Sequence, residues 1–293
     1  MDNKQLLTTK EIAAYLKINE KKVYQLIQEG TIPCTRVVGK WLFPLTQINR
    51  WLEENTELNK NILVAGSDDP LLINLLEEFN RTHFPQFLAF HASVGSQKGL
   101  ISLAEGKAQI AGTHLFHPPT GEYNLPYVKK HLAGKKYLAI NLAYRQQGLL
   151  VARGNPQTVN KISDLVHNKS RFVNRNPGSG TRYLFDYMLE KEKISAHQID
   201  GYEVECTTHQ EVAMEILKGN AEVGMGIEYT AQLMQLDFIP LIEERFDLIT
   251  MKEGFAAHPL KDFFAFLEPE KLTLKTENFK GYDLRDCGSI VSE

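Results

Sequence analysis

The sequence lacks the features that would assign it to several common functional classes. No apolar run reaches the roughly 20 residues that a membrane-spanning helix needs, and the first stretch, MDNKQLLTTKEI, has no apolar segment of the kind found in signal peptides. The three cysteines are scattered and have no CxxC spacing, which is typical of reduced thiols in a cytoplasmic protein. Nucleophile-elbow, HExxH and P-loop motifs are absent, and His114 and His117 have no third ligand beside them. The sequence therefore predicts a cytoplasmic protein that is not an enzyme, does not enter a membrane and holds no metal or cofactor.

Charge is distributed unevenly along the 293 residues. The net charge is −3, but residues 1–50 contain eight Lys or Arg against four Asp or Glu and so carry +4, while the remainder carries −7. A basic N-terminal module on an acidic body suggests a DNA-binding head. The length allows two or three domains, each with a core of its own.

The pattern of the first 30 residues predicts two short helices joined by a tight turn. Thr8 or Thr9 is placed to cap the first helix, and Asn19 is placed to cap a second helix over Glu20 to Gln28. Gly30 ends this second helix. Two helices joined by so short a turn are a helix-turn-helix.

The next segment predicts a wing and a further helix. Residues 32–43 have the pattern of two short strands around Val38-Gly39-Lys40, and a helix follows from about Leu45 to Leu52. The polar stretch 53–61 is either an extension of that helix or a linker.

The run TTKEIAAYLKINEKKVYQLIQEGTIPCTRVVGKWLFPLTQINRWL resembles the winged helix-turn-helix of excisionases, a relative of the MerR DNA-binding head. The resemblance implies that residues 1–57 form a domain that binds double-stranded operator DNA. A small helical interaction domain with solvated lysines is the alternative. The resemblance implies that four side chains of the recognition helix face the major groove, namely Lys21, Lys22, Tyr24 and Gln25. It places Arg36 and Lys40 on the wing.

The body repeats a pattern of strand, small polar loop and helix, which predicts an α/β sheet. In such sheets ligands bind beyond the carboxyl ends of the strands. Hydroxyl groups and glycines occur at that edge in several loops, where each alone would be an ordinary cap or turn. The members of this set in the first part of the body are Ser67, Ser93, Gly95, Ser96 and Thr113.

The loop NRNPGSGTRYLFD (residues 174–186) leads from a β-like run directly into a helix. The free N–H groups and the positive dipole at such a helix start favour an anion. Gly180 allows the backbone to approach a ligand, Ser179 and Thr181 add hydroxyl donors, and Arg182 adds a fork of N–H donors. The alternative is a plain N-cap with Arg182 paired to the carboxylate four residues on.

Further strands predict a second lobe. Two runs, Tyr137 to Ala143 and Gly148 to Ala152, have the pattern of strands that cross from one lobe to the next, and Phe238 to Leu241 and Leu248 to Met251 return the chain. His209 begins a helix, where it is expected to be a cap or a contact between lobes. Two α/β lobes joined by crossing strands describe a two-lobed type 2 periplasmic-binding-protein fold over residues 61–293, with the second lobe at about 145–245.

The segments GSDDPLL, SVGSQKGL, AGTHLFHPPTGEYNLPYV, RFVNRNPGSGTRYLFD, TTHQEVAMEI and VGMGI resemble a specific group of these domains. The group comprises cytoplasmic binding-protein-like domains fused to helix-turn-helix heads or to molybdopterin-biosynthesis proteins, and it is related to molybdate- and tungstate-binding transport proteins. The resemblance implies a one-component transcriptional regulator that senses an oxyanion effector, tungstate or molybdate first.

Three further expectations follow from this architecture. The regulator is expected to act as a homodimer, because helix-turn-helix proteins read paired half-sites. Its expected targets are genes for oxyanion transport or for molybdenum or tungsten cofactors. The alternatives are the same architecture with a small organic or pterin-type ligand, or a protein that handles molybdenum cofactor without regulating genes.

Overall fold

The computed structural model of the chain describes residues 5–55, 61–256, 258–267 and 278–292. The chain divides into two compact units, Met1–Asn59 and Lys60–Glu293, which we call the head and the body. No helix in the described ranges combines the length and the apolar character required to span a membrane.

The head begins its helices at capping residues. Its elements in chain order are β1 (Leu6–Thr8), α1 (Thr9–Tyr15), α2 (Glu20–Gln28), β2 (Thr35–Val37), β3 (Lys40–Pro44) and α3 (Leu45–Asn55). Thr8 Oγ1 accepts the backbone N–H of Glu11, and the Glu11 carboxylate accepts the N–H of Thr8, which forms a capping box. The Asn19 side chain accepts the N–H of Lys22 at 2.8 Å and starts α2. Residues 56–60 of the expected linker lie outside the described ranges.

A small antiparallel sheet completes the head. Strand β3 lies between β1 and β2, so β2 and β3 form the expected wing hairpin. Strand β1 was not predicted, because three residues are too few to show an alternating pattern. Its central residue Leu7 is buried with Ile12, Val23, Phe43 and Ile48 in the core of the head.

The body begins with strand–helix units that build its first lobe. These elements are β4 (Asn61–Gly66), α4 (Pro70–His83), β5 (Leu88–Ser93), α5 (Ser96–Ala104), β6 (Ile110–Thr113), β7 (Phe116–His117), β8 (Glu122–Tyr123) and α6 (Leu125–His131). Strand β4 pairs in parallel with β5 and with β6, so the carboxyl ends of all three strands meet at one edge. The loops that leave this edge contain the predicted Ser67 and Gly95.

The second lobe follows a long strand and is built in the same way. The elements from there to the end of the chain are β9 (Tyr137–Val151), α7 (Asp164–His167), β10 (Phe172–Arg175), α8 (Gly180–Lys191), a 3-10 turn (Ala196–Gln198), β11 (Glu205–Cys206), α9 (His209–Leu217), β12 (Val223–Ile227), α10 (Glu228–Leu233), β13 (Asp237–Met251), α11 (Leu260–Ala265), β14 (Tyr282–Asp283) and β15 (Ile290–Ser292). The main sheet of the body has the order β11-β10-β12-β9-β13-β6-β4-β5.

Two continuous strands connect the lobes, where the sequence pattern suggested two pairs of shorter strands. β9 and β13 are antiparallel partners from the pair Tyr137–Met251 to the pair Val151–Asp237, with bulges after Pro240 and Phe246. The middle of β9 is the polar run Arg145-Gln146-Gln147, which looks like a loop in the sequence. Arg145 and Gln147 are nevertheless buried, because their polar groups are bound inside the body.

Smaller differences concern element ends. The short helix α7 between β9 and β10 was not predicted from the sequence. Ser93 and Thr113, expected in loops, are the last residues of β5 and β6. At the C-terminus, β14 and β15 both pair with β9, although the sequence pattern there is weak.

Candidate ligand-binding cleft and DNA-binding surface

The two lobes of the body contact one another at the carboxyl edge of the sheet. The Asp68 carboxylate, in the loop after β4, accepts the backbone N–H of His209 at the start of α9, with a distance of 3.0 Å. Gln97 in α5 donates its N–H to the carbonyl oxygen of Gly178 in the loop before α8, at 3.3 Å. We call the region between these contacts the cleft.

Glu244 lies at the centre of a buried polar network in the cleft. Its carboxylate on β13 accepts hydrogen bonds from His114 Nδ1 at 2.7 Å and from Gln147 Nε2 at 2.8 Å, and it forms an ion pair with Arg145. Arg145 also pairs with Asp69, and all of these side chains are buried. Glu244, on β13, therefore connects the residue that follows β6 with residues of β9.

The network continues to two hydroxyl groups that were predicted for the ligand site. His114 Nε2 lies 2.8 Å from Ser67 Oγ, and Gln147 Nε2 donates to Thr181 Oγ1 at 2.9 Å. Ser67 follows β4 in the first lobe, whereas Thr181 is in the first turn of α8 in the second. The network thus reaches both sides of the cleft.

The charges of this network are fixed by its pairs. Burial would raise the pKa of Glu244, but Arg145 and His114 lower it to about 2. Burial would lower the pKa of Arg145, but Glu244 and Asp69 raise it above its usual value. Burial also lowers the pKa of His114, although Glu244 partly opposes this shift. At neutral pH, Glu244 is therefore ionised and His114 is neutral.

Arg175, the last residue of β10, is a buried cation with unused donors. It is 2% exposed, and its Nη2 donates to the carbonyl oxygen of Thr207 at 2.8 Å. Its Nε and Nη1 have no hydrogen-bond partner among the described residues, and neither has Nη2 of Arg145. Burial lowers the pKa of Arg175 to about 10, with the Asp68 carboxylate opposing the shift. A buried cation without a full set of partners is unfavourable unless something else binds it.

The His209 ring is a second buried group without partners. Neither ring nitrogen has a hydrogen-bond partner among the residues that the structure describes. Burial, together with Arg175 and Arg145, holds the pKa of His209 well below its ordinary value, so the ring is neutral and offers one donor and one acceptor. The sequence had suggested a contact between lobes at this position, and the His209 backbone makes one.

Several predicted ligand residues are already bound within the protein. Ser96 Oγ accepts the N–H of His114, Thr113 Oγ1 donates to Asn124, and Ser179 Oγ caps α8 by accepting the N–H of Arg182. Ser93 is exposed at the end of β5.

Two predicted glycines allow the lobes to meet. A Cβ on Gly180 would lie 2.6 Å from the His114 ring, and one on Gly95 would lie 3.1 Å from the carbonyl oxygen of Gly178. Gly95 also has a φ of +86°, which favours glycine.

Arg182, the cation predicted for the cleft, is paired within the protein, as in the alternative that the sequence offered. Its guanidinium pairs with Asp186 at 3.1 Å and with Glu205 at 3.3 Å, and it stacks over the Tyr202 ring at 4.1 Å. These contacts pair Nε and Nη1 of Arg182, whereas Nε and Nη1 of Arg175 have no hydrogen-bond partner among the described residues. Arg175 lies within the segment NRNPGSGTRYLFD that predicted the anion site, and this position was the sequence signal for it.

The six side chains predicted to contact DNA are all exposed on the head. Lys22 Nζ donates to Gln25 at 3.0 Å, and the Arg36 guanidinium lies 5.5 Å from the centre of the Trp41 ring. The six residues, on α2 and on the wing, are Lys21, Lys22, Tyr24, Gln25, Arg36 and Lys40.

Comparisons with known families identify both units. Residues 76–268 match the family model of the PBP superfamily domain, and residues 6–56 match that of the helix-turn-helix domain. The chain belongs to the PBP superfamily and carries an N-terminal helix-turn-helix head of the excisionase-like type. The predicted fold class is therefore confirmed.

Individual proteins agree with this architecture. A protein of Bacillus subtilis (strain 168), "Uncharacterized protein YvgK", is 28% identical over 315 residues, with 100% of both chains covered. The tungstate ABC transporter structure from Geobacter sulfurreducens has a TM-score of 0.54 at 13% identity and covers 74% of this chain and 98% of its own. The regulatory domain of CcmR from Synechocystis PCC6803, in complex with 2-PG, has a TM-score of 0.53 at 13% identity and covers 70% and 93%.

Both domains are of the binding and regulatory type, and their combination fits a ligand-sensing transcriptional regulator. Over residues 5–55, 61–256, 258–267 and 278–292, no group of three or more His, Cys, Asp or Glu is arranged to hold a metal ion.

Proposed function

We propose that this chain is a one-component transcriptional regulator whose body binds a small anion in the cleft and whose head binds operator DNA. In this proposal residues 1–57 form the DNA-binding domain and residues 61–293 form the sensor. Anion binding changes the relative free energies of the body's conformations and, through them, the DNA affinity of a homodimer.

The observation that carries the anion assignment is Arg175. A guanidinium that is 2% exposed, and in which Nε and Nη1 have no hydrogen-bond partner among the described residues, is costly in an unliganded protein. An anion in the cleft would accept hydrogen bonds from those N–H groups and offset the cost, because charge-assisted hydrogen bonds are stronger than neutral ones. The N-terminus of α8 lies in the same region and adds a positive dipole.

Tungstate and molybdate are the first ligands to test, because the sequence resembles domains related to their binding proteins. The Thr181 hydroxyl and the N–H groups on Nε and Nη1 of Arg175 can donate to the oxygens of such an anion. A small organic acid is the second candidate, since the fold is shared with a regulatory domain in complex with 2-PG.

Isothermal titration of the full chain with tungstate, molybdate, phosphate and shikimate tests the proposal. We expect one of these to bind the wild type and to lose at least about a hundredfold in affinity with Arg175→Met, as expected when a charged hydrogen-bond partner is removed. Arg182→Met is the matched control, and we expect it to retain binding because the Arg182 guanidinium is already paired.

Stability separates this role of Arg175 from a structural one. Removal of one partner from a buried ion pair is strongly destabilising, but Arg175 donates only to the Thr207 carbonyl oxygen among the described residues, so its replacement by Met breaks no ion pair. We therefore expect Arg175→Met to unfold at the same urea concentration as the wild type or at a higher one, and to lose anion binding. A variant that binds the anion as the wild type does would refute the proposed site.

A gel shift with genomic promoter fragments tests the DNA assignment. We expect a specific complex that is lost in the double variant Lys21→Ala plus Lys22→Ala. The absence of binding to every fragment would favour a protein that handles molybdenum cofactor without regulating genes.

A further inference from the structure

The partners of Glu244 determine which way each hydrogen bond in the cleft runs. An ionised carboxylate can only accept hydrogen bonds, and the pKa of Glu244 keeps it ionised at neutral pH. His114 Nδ1 and Gln147 Nε2, at 2.7 and 2.8 Å, must therefore both donate to it. This assignment fixes two branches of the network.

The first branch ends at Ser67. Because the proton of the neutral His114 ring is on Nδ1, its Nε2 is an acceptor, and Ser67 Oγ at 2.8 Å must donate its only proton to it. No other side-chain hydrogen bond of Ser67 Oγ is found within the described residues. Toward a ligand, Ser67 Oγ can therefore only accept a hydrogen bond.

The second branch ends at Thr181 and has the opposite polarity. The Gln147 amide group donates one N–H to Glu244 and the other to Thr181 Oγ1 at 2.9 Å. Thr181 therefore accepts from Gln147, and its own hydroxyl proton is available for a ligand. The Oε1 atom of Gln147 is buried and has no donor among the residues described.

The two branches meet at one place between the lobes. Gly180, the neighbour of Thr181, packs against the His114 ring so closely that a Cβ on it would lie 2.6 Å from the ring. Ser67, Gln147 and Thr181 are each 1% exposed or less. A ligand at this contact would meet an acceptor on one side and a donor on the other.

We infer that Glu244 sets Ser67 as an acceptor and Thr181 as a donor, and that the ligand is therefore an anion that also carries an O–H group. This inference rests on the proposed function, in which the cleft binds an anion. Thr181 and Arg175 donate to the charged oxygens, while Ser67 Oγ and Gln147 Oε1 accept from the O–H group. A singly protonated oxyanion or a hydroxylated organic acid meets both requirements.

A fully deprotonated oxyanion does not meet them. Sulfate, molybdate and tungstate at neutral pH would place an oxygen against the lone pairs of Ser67 and leave two buried acceptors unpaired. Sites built to hydrogen-bond a hydroxyl reject analogues that lack it, because the unpaired groups lose their water without replacement.

Two matched ligand pairs provide the test by isothermal titration of the full chain. At mildly alkaline pH, hydrogen phosphate and sulfate are both tetrahedral dianions, but only hydrogen phosphate carries an O–H group. Shikimate and cyclohexene carboxylate are ring acids that differ by their hydroxyl groups. We expect the wild type to bind the O–H member of at least one pair about a hundredfold more tightly than its partner.

Two variants distinguish the acceptor from the donor. Ser67→Ala should weaken binding of the O–H ligand about tenfold and leave the partner's affinity unchanged, so the ratio between them falls. Thr181→Val, which keeps the shape, should weaken both ligands of a pair by a similar factor. Ser289→Ala, at an exposed serine outside the set of predicted ligand residues, should change neither.

The outcomes separate this inference from the proposed function. Equal affinities within both pairs would retain an anion sensor and overturn the inference. Tight binding of tungstate or molybdate by a protein that does not bind the protonated anions would have the same meaning. Uptake of a proton when sulfate binds would overturn it as well, because His114 would then supply the missing proton. Failure of every anion to bind would overturn the proposed function together with the inference.

Discussion

At the scale of single residues, two buried arginines of the body differ in what their neighbours provide. Arg145 is fully enclosed and pairs with both Asp69 and Glu244, whereas two N–H groups of Arg175 have no partner within the described residues. Removal of one partner from a buried ion pair leaves an uncompensated charge. Arg145 is therefore required for stability, and Arg175 is available for a ligand.

Arg145→Met should lower the free energy of unfolding by about 3–5 kcal/mol, because Asp69 and Glu244 would remain buried without their cation. Urea denaturation monitored by circular dichroism gives this quantity. The control is Arg285→Met, which removes an arginine from an exposed cluster with Glu243 and Asp283. Exposed pairs contribute about 0–1 kcal/mol, so similar losses in the two variants would contradict the assignment.

The lowered pKa of Glu244 makes its contribution to stability depend on pH. Its pKa is about 2 in the folded protein against 4.5 when unperturbed, because Arg145 and His114 oppose the effect of burial. The contribution is therefore fully present above pH 4.5 and is lost as the pH falls toward 2. We expect the difference in unfolding free energy between the wild type and Glu244→Gln to shrink across this range. A difference that is constant with pH would show that the charge of the Glu244 carboxylate does not contribute to the free energy of unfolding.

At the scale of elements, the long strands β9 and β13 depend on one glycine for their close approach. A Cβ on Gly148 would collide with the carbonyl oxygen of Ile239 and would lie 2.8 Å from Cζ of Phe238. This position is beside the bulge between Pro240 and Ile242, in the second-lobe half of both strands. The strands cannot accept a side chain there without moving apart.

We expect Gly148→Ala to destabilise the protein by about 1–3 kcal/mol or more, as overpacking does in other cores. Gly254→Ala provides the comparison, because its Cβ would make an ordinary contact with Leu260 at 3.6 Å. Thermal unfolding of both variants measures the difference. If Gly148→Ala unfolds at the same temperature as Gly254→Ala, the two strands have more freedom than their pairing indicates.

The same strands mark the limit of what the sequence could predict. Caps and apolar periodicity are local signals, so the starts of α1 and α2 were located correctly, at Thr8, one of two candidate caps, and at Asn19. The polar run Arg145 to Gln147 broke the apolar pattern of β9, because its partners are the capping residue of α4, β13 and α8. Side chains whose partners are about a hundred residues away, such as Arg145 and Glu244 at a separation of 99, give no local signal.

The candidate site likewise contains residues that the sequence could predict and residues that it could not. Ser67, Gly180 and Thr181 follow strands or begin helices, so their positions near the cleft could be predicted from the sequence. For Arg182, the pairing with Asp186 was an alternative that the sequence offered, whereas its contacts with Glu205 and Tyr202 give no local signal. Arg175 and His209 were missed as ligand groups because only the packed structure shows which nitrogens have no partner.

At the scale of the whole molecule, the proposed sensor must couple its two units thermodynamically. If an anion changes the DNA affinity by some factor, DNA must change the anion affinity by the same factor, since both describe one coupling free energy. Typical couplings correspond to about 5–150-fold. This reciprocity does not depend on how the head and the body are arranged.

We therefore expect two independent measurements to agree. Fluorescence anisotropy of an operator fragment, with and without saturating anion, gives one factor, and titration of the anion into free protein and into the protein–DNA complex gives the other. The variant Lys21→Ala plus Lys22→Ala should weaken DNA binding and leave the anion affinity of the free protein unchanged, because these lysines are exposed on the head. Removal of the exposed body lysines Lys191 and Lys218 is the charge-matched control and should affect DNA binding much less. Two equal factors would establish one sensor with a coupled head, whereas an anion that binds the body without any effect on DNA affinity would contradict the regulatory role.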